Sequence, residues 1–210
     1  MSLQVTIIPV TPFQQNCALL WNSETKNAAV VDPGGDMPQI LAAIEKAGVT
    51  VTDIFLTHGH LDHAGGAAPL AEKLGVKITG PGVEDKFLLE SNAAQGAQMG
   101  FSAADCTPDS WLKEGDKITM GGAAFEVLHC PGHTPGHMVF VNHAAKFGIF
   151  GDVLFRNSVG RTDFPYCDTA ALISAIQTKL MVLPDDFTFI CGHGPGSSIG
   201  AERRSNPFIR

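Results

Sequence analysis

The chain has 210 residues, of which 44% are hydrophobic and 17% charged, and its formal net charge is −7. This composition excludes an intrinsically disordered chain, and the acidic balance argues against a protein that binds nucleic acid through clustered Lys and Arg. We therefore expect residues 1–210 to form a single domain whose core is large enough to fold alone.

The N-terminal segment and the cysteines indicate the cellular compartment in which we expect the protein. Residues 1–5 lack the basic start and long apolar core of a signal peptide, and no segment is long enough to span a bilayer. An odd number of cysteines at irregular spacing argues against a disulfide framework. We expect a cytoplasmic protein without a membrane partner, and the sequence leaves the oligomeric state open. The cysteines are Cys17, Cys106, Cys130, Cys167 and Cys191.

Strands and helices alternate in the first half of the chain. The spacing of Ile40, Leu41 and Ile44 predicts a helix that ends at Gly48, and apolar runs rich in β-branched residues predict strands around it. In chain order the predicted elements are strands over 5–10, 17–21 and 28–31, a helix over 37–47, a strand over 51–56, a helix over 67–74, an extended segment over 76–79 and a helix or helical lid over 84–99. The role of the segment 84–111 stays open.

The second half repeats the mixture. Asp168 is the candidate N-cap of its helix, because an Asp side chain can accept a hydrogen bond from the first turn. The predicted elements are strands over 125–129, 138–141 and 147–150, a helix over 169–180 and a strand over 187–190. Two mixed β/α halves predict a layered sandwich, with the functional site at the edge where the halves meet.

Side chains that can bind metal follow the predicted strands in both halves. Five of the seven positions lie beside glycine, which lets the backbone turn sharply and approach an ion. Imidazole and carboxylate ligands together suit Zn²⁺, Mn²⁺ or iron, whereas a structural zinc site more often uses thiolates. The pattern therefore predicts a two-metal hydrolase whose ligands come from loops. The residues are His58, His60, Asp62, His63, His133, Asp152 and His193.

These blocks resemble the metallo-β-lactamase superfamily, and within it the short bacterial form of the glyoxalase II group, the hydroxyacylglutathione hydrolases. The matching blocks are Val31 to Gly34, Thr57 to His63, Pro131 to Thr134, Gly151-Asp152 and Gly192-His193. The resemblance implies an α/β fold of the αββα sandwich type with two divalent metals at one edge of the sheets. Zinc is the first expectation for these metals, with iron and manganese as alternatives.

The resemblance also implies a role for each ligand. His58, His60 and His133 would hold the first metal, Asp62, His63 and His193 the second, and Asp152 would bridge the two. Two neighbouring cations lower the pKa of a shared water, so that a hydroxide is available to attack a thioester carbonyl at neutral pH. The implied activity is hydrolysis of S-D-lactoylglutathione or a similar small-molecule thioester.

Other residues are candidates for supporting roles. We expect Asp62 to orient the nucleophile as a catalytic residue, and Asp32 and His137 to support ligands by hydrogen bonds. Asp32 is equally well explained as a turn residue before Pro33. Arg161 stands where the family has a substrate-binding lysine, and it is either a carboxylate-binding residue or the partner of a nearby Asp.

Alternatives to thioester hydrolysis stay open. The chain lacks the C-terminal helical segment that binds glutathione in longer glyoxalase II enzymes, which places glutathione recognition in question. A mononuclear-iron persulfide dioxygenase would use only His58, His133 and Asp152. A lactonase, a nuclease or a non-catalytic metal-binding module would carry the same ligands. Cys130 and Cys191 are alternative ligands or nucleophiles, because each lies close to a ligand histidine.

Overall fold

The computed structural model describes residues 2–209 and contains two β-sheets that pack face to face. The first sheet has the strand order β1-β2-β3-β4-β5, and the second has the order β13-β12-β9-β8-β7-β6. The strands of the first sheet are β1 (Leu3–Val10), β2 (Gln15–Asn22), β3 (Asn27–Val31), β4 (Thr50–Phe55) and β5 (Lys77–Thr79). Those of the second are β6 (Lys117–Met120), β7 (Ala123–His129), β8 (Met138–Asn142), β9 (Phe147–Ile149), β12 (Thr188–Ile190) and β13 (Ser197–Ser198). A separate hairpin consists of β10 (Leu154–Phe155) and β11 (Ser158–Val159).

Helices cover the outer faces of both sheets. They are α1 (Met37–Ala47), α2 (Leu61–Ala64), α3 (Ala67–Leu74), α4 (Lys86–Leu89), α5 (Asn92–Met99), α6 (Thr169–Ala175) and α7 (Ile199–Ser205). A 3₁₀ turn (Val83–Asp85) precedes α4, and α6 continues as a π-helical turn (Ile176–Leu180). No helix within residues 2–209 is long and apolar enough to cross a membrane.

Alternating side chains on the strands divide the core into layers. On β2, Leu19 packs into the cluster under α1 and α3, whereas Leu20 points between the two sheets. On β8, Val141 packs toward α6 and Phe140 points between the sheets. Because successive residues of a strand face opposite sides, one strand serves two layers at once. The result is the αββα sandwich that the sequence predicted.

The predicted elements are largely confirmed. The helices over 37–47 and 67–74 have the predicted bounds, and the Asp168 side chain accepts a hydrogen bond from the Ala171 amide at the start of α6. The segment predicted as a helix or helical lid over 84–99 is helical but not continuous. Its helices α4 and α5 are separated at Ser91, whose hydroxyl donates to the Phe87 and Leu88 carbonyls and so competes with a further helical turn.

Some elements escaped prediction. The expectation that every metal-binding candidate lies in a loop was wrong, because Asp62 and His63 belong to α2. A helix of this length shows no periodicity that a sequence pattern can detect. The strands β6 and β13, the β10–β11 hairpin and α7 were also missed.

Candidate metal centre

Loops that follow strand ends converge at one edge of the sandwich. In the first sheet, β3 is followed by Asp32, and β4 by the segment that carries His58 to His63. In the second sheet, the segments after β7, β9 and β12 carry His133, Asp152 and His193. The pairs β3–β4 and β9–β12 are parallel, so the ends of both strands in each pair reach the same edge.

Three imidazoles converge at this edge of the sandwich and form the first group of candidate ligands. The Nε2 atom of His58 lies 3.1 Å from Nδ1 of His60, and Nε2 of His133 lies 3.0 Å from that same Nδ1 atom. All three side chains are held close enough for one ion to contact them together.

A second group lies beside the first. Asp62, His63 and His193 also bring one ligand atom each within 4.8 Å of one another. The Nε2 atom of His193 is 3.2 Å from Oδ2 of Asp62. The structure thus brings together the residues that the sequence assigned to a second metal.

Asp152 lies between the two groups. Its Oδ1 atom is 3.3 Å from Nε2 of His63, and its Oδ2 atom is 3.5 Å from Nε2 of His133 and 3.6 Å from Nε2 of His193. Each oxygen therefore faces a candidate ligand, and one carboxylate contacts both groups. This is the geometry that a bridging ligand requires.

Each candidate ligand histidine has an inner ring nitrogen, which faces the other ligands, and an outer one, which faces away. The outer nitrogen of every one of these histidines contacts an oxygen of another residue. A donor N–H on that side leaves the inner nitrogen with a free lone pair, which is how proteins prepare a histidine for a metal. The pairs are His58 Nδ1 with Thr57 Oγ1 (3.0 Å), His60 Nε2 with Tyr166 Oη (2.8 Å), His63 Nδ1 with Asp32 Oδ2 (2.9 Å), His133 Nδ1 with the Arg161 carbonyl (2.8 Å) and His193 Nδ1 with the Phe13 carbonyl (3.1 Å).

Asp32 organises two of these contacts. Its carboxylate accepts hydrogen bonds from the amide (2.7 Å) and the hydroxyl (2.6 Å) of Thr57, in addition to its contact with His63. Because the Thr57 hydroxyl donates its hydrogen bond to Asp32, its oxygen is free to accept a hydrogen bond from His58. Asp32 also adopts a left-handed φ of 52°, so it is a turn residue and a hydrogen-bond partner of a candidate ligand at once.

Two buried atoms at the centre have no hydrogen-bond partner within residues 2–209: Nε2 of His63 and Oδ1 of Asp152. They face each other at 3.3 Å without hydrogen-bonding geometry. Leaving buried polar atoms unpaired costs about 1–3 kcal/mol each, so such atoms call for a partner. A bound cation would give both atoms a partner, and the residues present fit a metal.

The histidines of the two groups differ in protonation. Burial and the neighbouring imidazoles lower the pKa of His58 well below its ordinary value, and they lower that of His60 to about 3. Burial also lowers the pKa of His133. These three rings are neutral and ready to bind a cation.

Carboxylates reverse this effect in the second group. Burial disfavours the charged form of His63, but the charges of Asp152 and Asp62 outweigh it and raise the pKa of His63 well above its ordinary value. The pKa of His193 is raised as well, since its hydrogen bond with Asp62 and the charge of Asp152 outweigh burial.

His137 lies behind the first group. Its ring stacks on His58 with centroids 4.5 Å apart, and its Nε2 atom accepts a hydrogen bond (3.0 Å) from the Asp152 amide. It therefore contacts both a candidate ligand and the backbone of the bridging carboxylate, as the sequence led us to expect of a supporting residue.

A cavity of about 480 Å³ opens beside the two groups and is bordered by His60, Asp62, His133, Asp152 and His193. We call Arg161, Phe164 and Tyr166 its polar wall, which meets His60: the rings of Phe164 and His60 lie 5.6 Å apart. We call Phe13 and Phe155 its apolar wall.

The apolar wall meets His193, whose ring lies 6.4 Å from that of Phe155. The two walls therefore flank different groups of candidate ligands.

Arg161 engages a neighbour within the polar wall. Its Nε and Nη2 atoms each lie 2.6 Å from a carboxylate oxygen of Asp163, and its guanidinium lies 4.4 Å from the centre of the Phe164 ring. Both members of the ion pair are exposed. Arg161 thus forms the local pair that the sequence suggested, and it still borders the cavity.

The cysteines near the centre do not join it. Cys191 points its thiol at the His193 and Pro195 carbonyls, and burial raises its pKa to about 11. Cys130 is fully buried in the core under α6, and burial raises its pKa to about 12. Neither belongs to a group of candidate metal ligands among the described residues.

Three residues in or beside the site were missed from the sequence. Tyr166 is the single tyrosine of the chain and reaches His60, although it lies in an irregular loop. Gln15 is fully buried and its Nε2 atom lies 3.3 Å from Nδ1 of His63. Asp85 is a buried carboxylate between two ligand loops. Of these three residues, only Tyr166 had a signal in the sequence, because it is the single tyrosine of the chain.

Comparison with known proteins agrees with this geometry. The family model of the metallo-beta-lactamase superfamily matches residues 10–193. The chain is 48% identical over 209 residues to the hydroxyacylglutathione hydrolase GloC of Haemophilus influenzae, with 99% of this chain and 98% of that protein covered.

Two solved structures extend the likeness. The BLEG-1 B3 metallo-beta-lactamase superposes with a TM-score of 0.90 at 32% identity, covering 98% of this chain and 99% of that one. The protein TTHA1623 in a di-iron-bound form superposes with a TM-score of 0.86 at 35% identity, covering 97% of this chain and 99% of that one.

Proposed function

Because the chain belongs to the metallo-β-lactamase superfamily, we propose that it is a metal-dependent hydrolase that cleaves the thioester of a hydroxyacylglutathione such as S-D-lactoylglutathione. The observation that carries the proposal is the pair of ligand groups joined by Asp152, in which every ligand histidine directs one ring nitrogen toward the shared centre. The 48% identity to a hydroxyacylglutathione hydrolase over nearly the full length supports the substrate class.

Two divalent cations are the proposed cofactors. His58, His60 and His133 would hold the first, Asp62, His63 and His193 the second, and Asp152 both. Zn²⁺ is our first choice, because nitrogen and oxygen donors without thiolates suit catalytic zinc, and iron or Mn²⁺ fits the same donors. The di-iron form of TTHA1623 supports iron as an alternative.

The residues of the chain then have defined tasks. Bound cations would supply a hydroxide at neutral pH and stabilise negative charge on the carbonyl oxygen. Asp62 borders the cavity, and its carboxylate would orient the attacking hydroxide besides serving as a ligand. Asp32, Thr57 and the carbonyl of Arg161 keep the ligand rings in place.

The two walls orient the substrate. Arg161 is the single Lys or Arg of the residues that line the cavity, so the carboxylates of the glutathione part would lie along the polar wall. The acyl group would then lie against Phe13 and Phe155. This assignment gives the thiol part a binding site although the chain resembles only the short form of the family.

The second ligand group weighs against the mononuclear alternative. A persulfide dioxygenase that uses only His58, His133 and Asp152 does not need Asp62, His63 and His193 to converge. A second ion would also give the buried Nε2 atom of His63 a partner.

We also propose that the protein acts in the cytoplasm as one domain over residues 1–210. All five cysteines are free, which fits a reducing compartment. The small-molecule thioester is the one partner that the proposed function requires. Fractionation of the native cells tests the location, and a single cooperative unfolding transition tests the domain.

Metal analysis combined with turnover tests the proposed function. We expect two metals per chain and hydrolysis of S-D-lactoylglutathione, while the Asp62→Ala variant loses on the order of 100- to 10,000-fold in kcat. Asp186→Ala, which removes an exposed carboxylate paired with Lys146, serves as the control and should turn over normally. Nitrocefin is the comparison substrate, because BLEG-1 is described as a β-lactamase. A protein with two metals that hydrolyses no thioester of a broad panel would overturn the proposal.

A further inference from the structure

Asp85 is a buried carboxylate to which the proposed chemistry gives no task. It ends the 3₁₀ turn Val83–Asp85 and is fully shielded from solvent. No Lys or Arg within residues 2–209 forms an ion pair with it. Burying a charge without a cation is costly unless hydrogen bonds compensate, so its contacts need an explanation.

Three hydrogen bonds end on this carboxylate, and they come from two different ligand loops. Oδ2 accepts from the amide of Gly59 (2.8 Å) and from the hydroxyl of Thr134 (2.7 Å). Oδ1 accepts from the amide of Gly136 (2.6 Å). Gly59 separates the candidate ligands His58 and His60, and Thr134 directly follows the candidate ligand His133.

The packing around the carboxylate is equally close. A Cβ atom on Gly59 would lie 3.0 Å from the Asp85 carbonyl oxygen, and one on Gly136 would lie 2.8 Å from the Asp85 amide nitrogen. Both loops have glycine at the points where they touch Asp85, so the turn fits against them without space for a side chain. The hydrogen bonds and the packing are independent observations of the same junction.

The two loops belong to different sheets. The loop with Gly59 follows β4 of the first sheet, and the loop with Thr134 and Gly136 follows β7 of the second. Asp85 therefore joins the sheets across the site, at the point where His58 and His60 must meet His133. Backbone bonds from Gly82 to the Gly136 carbonyl (2.9 Å) and from Met138 to the Thr57 carbonyl (2.7 Å) tie the same regions together. The fold thus has further support here when Asp85 is replaced.

We propose that Asp85 is a positioning residue that holds the loop of His58 and His60 at metal-binding distance from His133. The inference rests on the proposed metal site. It assigns to a residue outside that site the task of setting the distance between the two loops that carry the ligands. Without Asp85 the loops keep their sequence and most of their fold, but the three ring nitrogens no longer converge at 3.0–3.1 Å.

Metal binding is the direct readout, because it does not depend on thioester turnover. We expect Asp85→Ala to weaken binding of the first Co²⁺ by about 10- to 100-fold in competition with a chelator, the range known for residues that support metal ligands. The absorption bands of the bound Co²⁺ should also change, since they report ligand geometry. Asp85→Asn, which retains one accepting oxygen, should show a smaller loss.

Glu202 offers a matched control. It is another buried carboxylate, and it accepts hydrogen bonds from the Asn157 amide (2.8 Å), the Asn206 side chain (2.9 Å) and the Ser197 hydroxyl, none of which belongs to a ligand loop. Glu202→Ala should lower the melting temperature and leave Co²⁺ affinity and spectrum unchanged. Equal loss of affinity in both Ala variants would reduce Asp85 to a general stabilising residue and overturn the proposal.

Thr134→Val keeps the test decisive if Asp85→Ala does not fold. It removes one of the three hydrogen bonds at nearly constant side-chain shape, and we expect a partial version of the same affinity loss and spectral change. Wild-type Co²⁺ binding in this variant and in Asp85→Asn would overturn the positioning role. A wild-type protein that binds no Co²⁺ would instead overturn the proposed function itself, so the two failures are distinct.

Discussion

The hydroxyl oxygen of Tyr166 lies 2.8 Å from Nε2 of His60, on the side of the ring that faces away from the candidate metal centre. The same tyrosine stacks on Phe164, with centroids 5.5 Å apart, and packs edge-on against Phe87. One residue of the cavity wall therefore also fixes the ring of a candidate ligand.

Removal of that hydroxyl should weaken metal binding without loosening the wall. In Tyr166→Phe the stacking ring remains, but the His60 N–H loses its acceptor, and we expect the affinity for the first metal to fall by up to about 10-fold because water can partly replace the hydroxyl. Chelator competition measures the change. Phe87→Leu alters the packing of Tyr166 without touching His60, so it should bind metal normally; equal affinities in Tyr166→Phe and wild type would contradict the prediction.

The ionisation of Tyr166 should not shape the pH profile. Burial raises its pKa to about 12, so the phenol stays protonated throughout the working range of the enzyme. We expect kcat/KM of Tyr166→Phe to follow the same pH dependence as that of the wild-type protein, at a lower level. A basic limb that disappears in the variant would show that the phenol titrates during turnover.

The two metals should load in order, and acid should release the second one first. The pKa values of His58, His60 and His133 are lowered, so these rings compete little with a proton, whereas His63 and His193 have raised pKa values. A proton on a raised-pKa histidine must leave before a metal binds. The affinity of the second group therefore falls as pH decreases, and that of the first group changes little.

Calorimetric titration of the metal-free protein with Zn²⁺ measures this difference. Titrations at about pH 6 and about pH 8 should show a strongly pH-dependent second step, and buffers of different ionisation enthalpy should show proton release mainly in that step. Asp32→Asn weakens the support of His63 and should affect the second step more than the first. Two steps with equal pH dependence would contradict the assignment.

The sequence predicted the candidate ligands and two residues that support them, Asp32 and His137, but not Tyr166 or Asp85. His58, His133, Asp152 and His193 stand after apolar strands and beside glycine, a pattern that is visible within a few residues of the chain. Tyr166 and Asp85 contact residues that are far away in the sequence: 106 positions separate Tyr166 from His60, and 51 separate Asp85 from Gly136. No local pattern marks a side chain whose task depends on a loop so far away.

The same limit applies to the helices. The helix over 37–47 repeats its apolar residues often enough to show the helical period, whereas α2 has only four residues. The position of Asp62 and His63 on α2 is set by packing and by hydrogen bonds of the first turn to the His60 carbonyl. Tertiary structure rather than propensity decides such short elements.

The thiols should be inert in the native protein. Burial raises the pKa of Cys106 and Cys130 to about 12 and that of Cys191 to about 11, and it raises the pKa of Cys17 still more clearly. Because the thiolate is the reactive form, we expect iodoacetamide at mildly alkaline pH to spare these four residues. Intact-mass and peptide analysis should find modification first at Cys167, which is partly exposed, and metal content unchanged in Cys191→Ala. Loss of a metal in that variant would show that Cys191 is a metal ligand.

Arg161 and Asp163 should act in opposite directions on substrate binding. Both side chains are exposed, and an exposed ion pair contributes only about 0–1 kcal/mol, so an anionic substrate can compete with Asp163 for the guanidinium. We expect Arg161→Ala to raise KM for S-D-lactoylglutathione by about 10-fold or more with a smaller effect on kcat, because a charged hydrogen bond contributes about 1.5–3 kcal/mol. Asp163→Ala frees the guanidinium and should lower KM.

A thioester without carboxylates on its thiol part provides the internal control for this pair. Its KM should be the same in the wild type and in both variants, because the proposed contact is absent. The Arg161 carbonyl accepts from His133 through the backbone, so Arg161→Ala should keep its metals and remain active at saturating substrate. If Arg161→Ala raises KM equally for the charged and uncharged thioesters, the polar wall does not bind the substrate carboxylates. The proposed orientation of the substrate between the two walls would then be wrong.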